Sequence, residues 1–126
     1  VIQDNAEFES HLMAHTRVHN AVSVTDFRSL DPVPDGNRFL VYCLFPQVIA
    51  SVKIRYKSPK KDQVLLSIGH SIFNRQCQVN IGTLLSEFGG GGHAGAGGCT
   101  LDARDADARI QEILDVLFQN QRNFSA

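Results

Sequence analysis

The sequence predicts an α/β fold in which helices pack on a mixed β-sheet of about five strands. Three observations predict it. Five short segments carry β-branched or apolar residues in strand-like patterns, stretches near both ends repeat apolar residues at helical spacing, and turn-forming clusters separate them. The intervals between strands are too irregular for a doubly wound nucleotide-binding fold.

The elements follow in chain order. Residues 5–19 read as a helix, with Asn5 as N-cap, Glu7 and Glu9 in the first turn, and Phe8, Leu12, His15 and His19 on related faces. Residues 21–25 are short, β-branched and alternating, which predicts a strand. Residues 30–38 hold Pro32, Pro34 and Asp35-Gly36, a turn-rich connection. Residues 39–45 are a nearly continuous apolar run, as expected for a strand buried on both faces, and Pro46 ends it. Residues 50–56 alternate, with Val52, Ile54 and Tyr56 on one face and Ser51, Lys53 and Arg55, then Lys57, on a basic other face. A polar turn at 58–62 and a strand at 64–68 complete a hairpin with it. Residues 80–88 predict a short helix and 99–101 a short strand. Asp102 or Asp105 caps a last amphipathic helix through Ile110, Ile113, Leu114, Leu117 and Phe118, and the polar tail 119–126 frays.

With 126 residues the chain fits one domain with a real core. A net charge of −1 excludes the global basic field that drives bulk nucleic-acid binding, so any anion site must be local. No apolar run approaches a membrane span, and Val1-Ile2-Gln3-Asp4 is too polar for a secretory signal. Cys43, Cys77 and Cys99 are odd in number and widely spaced, which fits a reducing, cytoplasmic setting; Cys43 and Cys99 lie in apolar runs and read as core. A chain that begins at Val1 reads as a fragment of a longer protein.

The most informative stretch is residues 89–98, where seven of ten residues are glycine and His93 stands in the middle. Backbone N–H groups without side chains around them, next to one titratable ring, suit an anionic ligand such as a phosphate. Gly90, Gly91 and Gly92 would form the backbone cradle, and His93 would donate an N–H to a phosphate oxygen or act as a general acid. The alternatives are a flexible linker and a histidine bonded within its own turn. The run is neither a dinucleotide-binding fingerprint nor a Walker A loop, which needs Gly-Lys-Ser/Thr.

A second polar group, at residues 69–75, holds His70, Asn74 and Arg75. Arg75 offers a bidentate fork for phosphate, with Asn74 and His70 as further donors. The group reads either as a basic wall facing the glycine run or as a solvated turn. Phe73 and Tyr56 are candidate stacking partners for a base, with a core role as the alternative for both. His11, His15 and His19 recur every four residues, which on a helix stacks them; no carboxylate or cysteine completes a metal site, so a packed helix face is the expectation. The sequence has no Asp-His-His, no cluster of aspartates for two metals and no nucleophile elbow. It reads as able to hold a phosphorylated ligand but not to cleave it.

The segment from Gly90 to Gly98 resembles the Gly-Gly-Gly-His-x-x-Ala-Ala/Gly-Gly signature of the DHHA1 domain of the DHH phosphoesterase superfamily. Its kin include the RecJ exonucleases, the oligoribonuclease and 3′-phosphoadenosine phosphatase group, and exopolyphosphatase-related proteins. The frame Ser67-Ile68-Gly69-His70-Ser71, then Asn80-Ile81-Gly82 and a short helix, is similar too, and the resemblance covers about residues 20–120. It implies a DHHA1-like substrate-binding domain over residues 20–126, with residues 1–19 as the helix connecting it to a missing N-terminal DHH domain that carries Asp-His-His and two Mn or Mg ions. By the same resemblance His93 contacts the substrate phosphate, with Gly91 and Gly92 as backbone cradle. His70 stands where many relatives carry an Arg in a Ser-x-Arg-Ser strand end, and Arg75 would take over that duty. The substrate would be a short oligonucleotide, a nucleoside bisphosphate or polyphosphate, and the fragment would be inactive alone. A stand-alone nucleic-acid-binding module is the alternative.

Overall fold

The computed structural model describes residues 2–34, 36 and 40–123. Asp35, the start of the expected run at Phe39, and the expected fraying at 124–126 lie outside the described residues. The elements are α1 (Ile2–His15), β1 (Thr16–His19), β2 (Val22–Asp26), α2 (Leu40–Leu44), β3 (Ala50–Tyr56), β4 (Gln63–His70), α3 (Ile81–Ser86), β5 (Gly91–His93), β6 (Ala96–Asp102) and α4 (Ala106–Gln119). They build one six-stranded sheet in the order β1-β2-β3-β4-β6-β5. Only β2 and β3 run parallel, with α2 in the crossover between them; every other neighbouring pair is antiparallel. The mixed sheet flanked by helices is the architecture the sequence predicts.

Four local readings are corrected. The first helix starts at Ile2, not at an Asn5 cap, and ends at His15, because Thr16-Arg17-Val18-His19 pairs with β2. A two-residue turn closes that hairpin, with both Asn20 (φ 49°) and Ala21 (φ 62°) left-handed, the geometry that matches strand twist. The turn was hidden because Ala replaces the usual glycine. The apolar run near 40–45 is a helix. Leu40 and Leu44, four apart, join the Phe8, Leu12 and Phe27 cluster, while Val41, Tyr42 and Phe45 pack with Val48 on the other side. A short apolar run cannot be told from a buried helix turn by periodicity alone. Cys43 on that helix is exposed, whereas Cys99 is buried as expected. Burial pushes the Cys77 and Cys99 thiols up, so both are poor nucleophiles. Finally, the glycine run is not an open loop but a hairpin, β5–β6, turning at Ala94-Gly95.

Register sorts the sheet into two unlike faces, because paired residues point to the same side. One face carries Val24, Val52, Ile54, Val64, Leu66 and Cys99, and α3 and α4 cover it through Leu84, Leu85, Ile110, Ile113 and Leu117. These side chains are at most 5% exposed and form the main core. The opposite face is small and polar: Ser23, Thr25, Ser51, Lys53, Ser67, Gly69, Ala96 and Gly98. Only part of it is covered, by α1 through Phe8 and Leu12 and by α2 through Val41 and Tyr42. Arg28 ties the end of β2 to α4, donating to Asp26 at 2.7 Å and to Asp107 at 2.7 Å. Burial alone would raise the Asp26 carboxyl, but the Arg28 hydrogen bonds outweigh it and hold it below its ordinary value. Among the described residues no helix is long and apolar enough to cross a membrane.

Two outcomes are expected. The Ser23 hydroxyl is fully buried without a hydrogen-bond partner among the described residues, so Ser23→Ala should leave stability unchanged or raise it by about 1 kcal/mol in denaturant melts; a loss of that size would show that Ser23 has a partner. Asp26, with its lowered folded pKa, contributes stability above the ordinary value of 3.8 and loses it as pH falls through the lowered one. The Tm difference between wild type and Asp26→Asn should therefore be largest near neutral pH and shrink below about pH 4.

Candidate functional site

The uncovered part of the polar sheet face is the floor of a cleft of about 790 Å³. Thr25, Ser51, Lys53, Ser67 and Gly69 form the floor. Phe8 and Leu12 of α1 and Val41 and Tyr42 of α2 close one side. Ser71, Ile72 and Arg75, after β4, and His93 and Gly95, on the β5–β6 hairpin, contribute to the rim. Among the described residues the only formal charges in its lining are Lys53 and Arg75, with no Asp or Glu. Positive charge is thus concentrated locally in a chain of net charge −1.

Each polar group is positioned by a local device. Gly82, one residue into α3, sits so close to β5 that a Cβ there would lie 2.7 Å from the Gly92 carbonyl oxygen, and Ile81 N–H donates to Ala94 O at 3.0 Å. Asn80 caps the same helix, its Oδ1 accepting from Thr83 N–H at 3.0 Å. Helix α3 thus holds the hairpin that carries His93. Gly92 has φ 151°, and a Cβ on it would be 2.3 Å from Ala96 O, so the hairpin closes only with glycine there. At its tip His93 Nδ1 accepts from Gly95 N–H at 3.2 Å. An accepting Nδ1 in a neutral ring places the proton on Nε2, the donor nitrogen.

Next to this hairpin, His70 ends β4 and its backbone N–H donates to Gly95 O at 2.8 Å. Its Nε2 lies 2.7 Å from Val79 O. The following segment is stapled at several points. Ser71 Oγ, on a residue 2% exposed, accepts from Phe73 N–H and Asn74 N–H, both at 3.1 Å. Asn120, the left-handed C-cap of α4, bonds Gln76 O at 3.0 Å and Gln78 N–H at 2.7 Å. Arg75 is presented between these staples. Arg28, Arg104 and Arg109 are each occupied by carboxylates, whereas Arg75 has no ion-pair partner among the described residues.

Of the residues singled out in the sequence, the structure brings His70, Arg75 and His93 to one cleft. It places Asn74 elsewhere, its amide 3.5 Å from Gln47 O. Gly90, Gly91 and Gly92 do not line the cleft; Gly95 and Gly97 of the same run do. Phe73 is 66% exposed rather than core and meets Tyr42 edge-on at 6.4 Å, while Tyr56 is half-buried against the core. The three spaced histidines do not share one helix, since α1 ends at His15 and His19 lies on β1. His15 meets Phe27 at 6.0 Å from α1, and His19, on β1, meets Phe118 at 4.7 Å. Sequence reasoning missed Lys53 and Tyr42 as cleft residues. Lys53 sits over the Phe8 and Phe27 rings at 6.0 and 5.8 Å, and the Tyr42 and Ser51 hydroxyls are 2.8 Å apart. The signal for Lys53 was its place on the basic alternating face of β3; Tyr42 was masked by reading its helix as a strand.

No family model and no curated protein matches the chain. Among solved structures it is similar to a pGpG-specific phosphodiesterase, PggH, from Vibrio cholerae, with a TM-score of 0.89 and 28% identity over 94% of this chain and 40% of that one. It is also similar to an exopolyphosphatase-related protein from Bacteroides fragilis, with a TM-score of 0.64 and 13% identity over 92% of this chain and 35% of that one. The chain therefore spans well under half the length of either protein. The fold is that of a DHHA1-like domain.

The two kinds of glycine in the hairpin should separate experimentally. Gly92→Ala should lose at least about 2 kcal/mol, from left-handed strain and the clash with Ala96 O. The nearest atoms to a Cβ on Gly95 are His93 and His70 ring atoms at 3.7–3.9 Å, ordinary contact. Gly95→Ala should therefore keep stability within about 0.5 kcal/mol while shifting the NMR signals of both imidazoles. Equal loss in the two variants would contradict this geometry.

Proposed function

We propose that the chain is the substrate-binding, C-terminal domain of a DHH-type phosphoesterase and that its cleft takes the phosphate end of a short oligonucleotide, a nucleoside bisphosphate or polyphosphate. The observation that carries the reading is a cleft whose formal charges, among the described residues, are both positive, Lys53 on its floor and Arg75 in its lining together with the His93 ring. The likeness to a protein named for pGpG favours a dinucleotide among these substrates.

The division of labour follows from side-chain chemistry. Arg75 offers a planar fork that matches two phosphate oxygens. His93 adds an N–H from Nε2, its ring held by the Gly95 N–H on the other nitrogen. Lys53 supplies a compact charge at the floor, steadied over two aromatic rings. These groups bind and orient; none is a nucleophile. Two Mn or Mg ions in such an enzyme would supply Lewis-acid chemistry, activating water and offsetting negative charge on the phosphate oxygens. A preceding DHH domain would hold them. Closure of that domain over the cleft would exclude water and align the bound phosphodiester.

Calorimetric titration of the chain with a 5′-phosphorylated dinucleotide tests the reading. Arg75→Ala and His93→Ala should each weaken binding by about tenfold or more, as expected for lost charge-assisted hydrogen bonds. An unchanged Kd in both variants would overturn the site.

A further inference from the structure

In its neutral form His70 is the cleft histidine that presents an acceptor nitrogen. Its Nε2 lies 2.7 Å from the Val79 carbonyl oxygen, which only accepts, so Nε2 carries the ring proton. In the neutral ring Nδ1 is then a lone-pair acceptor. No hydrogen bond to Nδ1 is made by the described residues. His93 is held in the opposite sense, with Nδ1 accepting and Nε2 donating. The two rings converge. A Cβ on Gly95 would lie 3.7 Å from His93 Cε1, 3.8 Å from His93 Nδ1 and 3.9 Å from His70 Nδ1. A ring that presents a donor and a ring that presents an acceptor thus both flank Gly95 in the cleft lining.

From this placement we infer that His70 is a specificity-determining residue that accepts a hydrogen bond from a sugar hydroxyl next to the bound phosphate; the inference rests on the phosphate-binding reading above. Phosphate oxygens are acceptors and gain nothing from a second acceptor. The ligand atom at Nδ1 must bring a hydrogen. Inorganic polyphosphate carries no such group along its chain. A nucleotide has two sources, the ribose hydroxyls and the N–H groups of the base edge. The closeness of the two rings favours the ribose, which is bonded directly to the phosphate, over the more distant base edge. The site would therefore favour ribonucleotides over both deoxynucleotides and polyphosphate.

The test is calorimetric titration of the chain with 5′-phosphorylated diribonucleotides of guanosine and of cytidine and with their 2′-deoxy and terminal 3′-deoxy counterparts. The ribo form should bind about fivefold more tightly than one of the deoxy forms, the size of one neutral hydrogen bond, whichever base is present. Two variants separate reading from scaffolding. His70→Asn places an amide oxygen where Nδ1 lies and gives up the Val79 contact; it should keep the preference. His70→Gln keeps an N–H within reach of Val79 O and moves the acceptor away; it should lose the preference and stay folded. Equal binding of ribo and deoxy forms, a preference that survives in His70→Gln, or one that follows the base would overturn the inference alone. Absence of binding by every dinucleotide would overturn the phosphate site and this inference with it.

Discussion

The close approach of three backbones, those of α3, β5 and β6, is the constraint on which the site depends. Side chains at Gly82, Gly92 or Gly97 would put carbon atoms 2.7, 2.3 and 2.5 Å from neighbouring carbonyl oxygens. Without them the helix start seats on the hairpin, Ile81 N–H reaches Ala94 O, and His93 and Gly95 project at the cleft rim. Glycine is costly to order, so a run of this density must be offset by packing. Here the offset comes from the buried side chains of Ile81, Leu84, Leu85 and Cys99 beneath the hairpin. Gly97 serves both ends, lining the cleft and permitting the close approach, whereas Gly95 lines the cleft without being needed for it.

The second organising feature is the unequal chemistry of the two sheet faces. Strand alternation sends β-branched and leucine side chains to the helix-covered side and serine, threonine, glycine and Lys53 to the other. Small residues on that side leave space, and their hydroxyls keep the floor polar. Helices α1 and α2 cover only one end, where Phe8, Leu12 and Phe27 form a separate apolar cluster. The cleft is what remains. Its position beside the parallel pair β2–β3 follows from α2, whose Tyr42 hydroxyl reaches Ser51 Oγ and the carbonyls of Gly69 and His70.

Much of this was legible in the sequence, and the rest was hidden for identifiable reasons. The strands at Ala50–Tyr56 and Gln63–His70 announce themselves by alternation, and the helix at Ala106–Gln119 by apolar residues at helical spacing. Composition and family resemblance singled out His93, and the structure places it in the lining of the cleft. What the sequence concealed was local conformation decided by tertiary partners. Thr16–His19 continues a helical pattern until the Asn20-Ala21 turn pairs it with β2. Leu40–Leu44 has strand-like composition but faces two apolar clusters at once, which only a helix turn satisfies. Which glycines face the ligand space depends on hairpin register, which a run of near-identical residues does not encode. His70 and Asn74 look alike as polar donors in the sequence. Only the Val79 and Gln47 carbonyls distinguish them, and both contacts join residues that are not sequence neighbours.

A crystal structure of the chain with a 5′-phosphorylated dinucleotide would test the central claim most directly. The account predicts the phosphate in the cleft over β3 and β4, within hydrogen-bond distance of the Arg75 guanidinium and His93 Nε2. A phosphate bound instead against the backbone of Gly90–Gly92, or on the basic turn at 57–61, would contradict it.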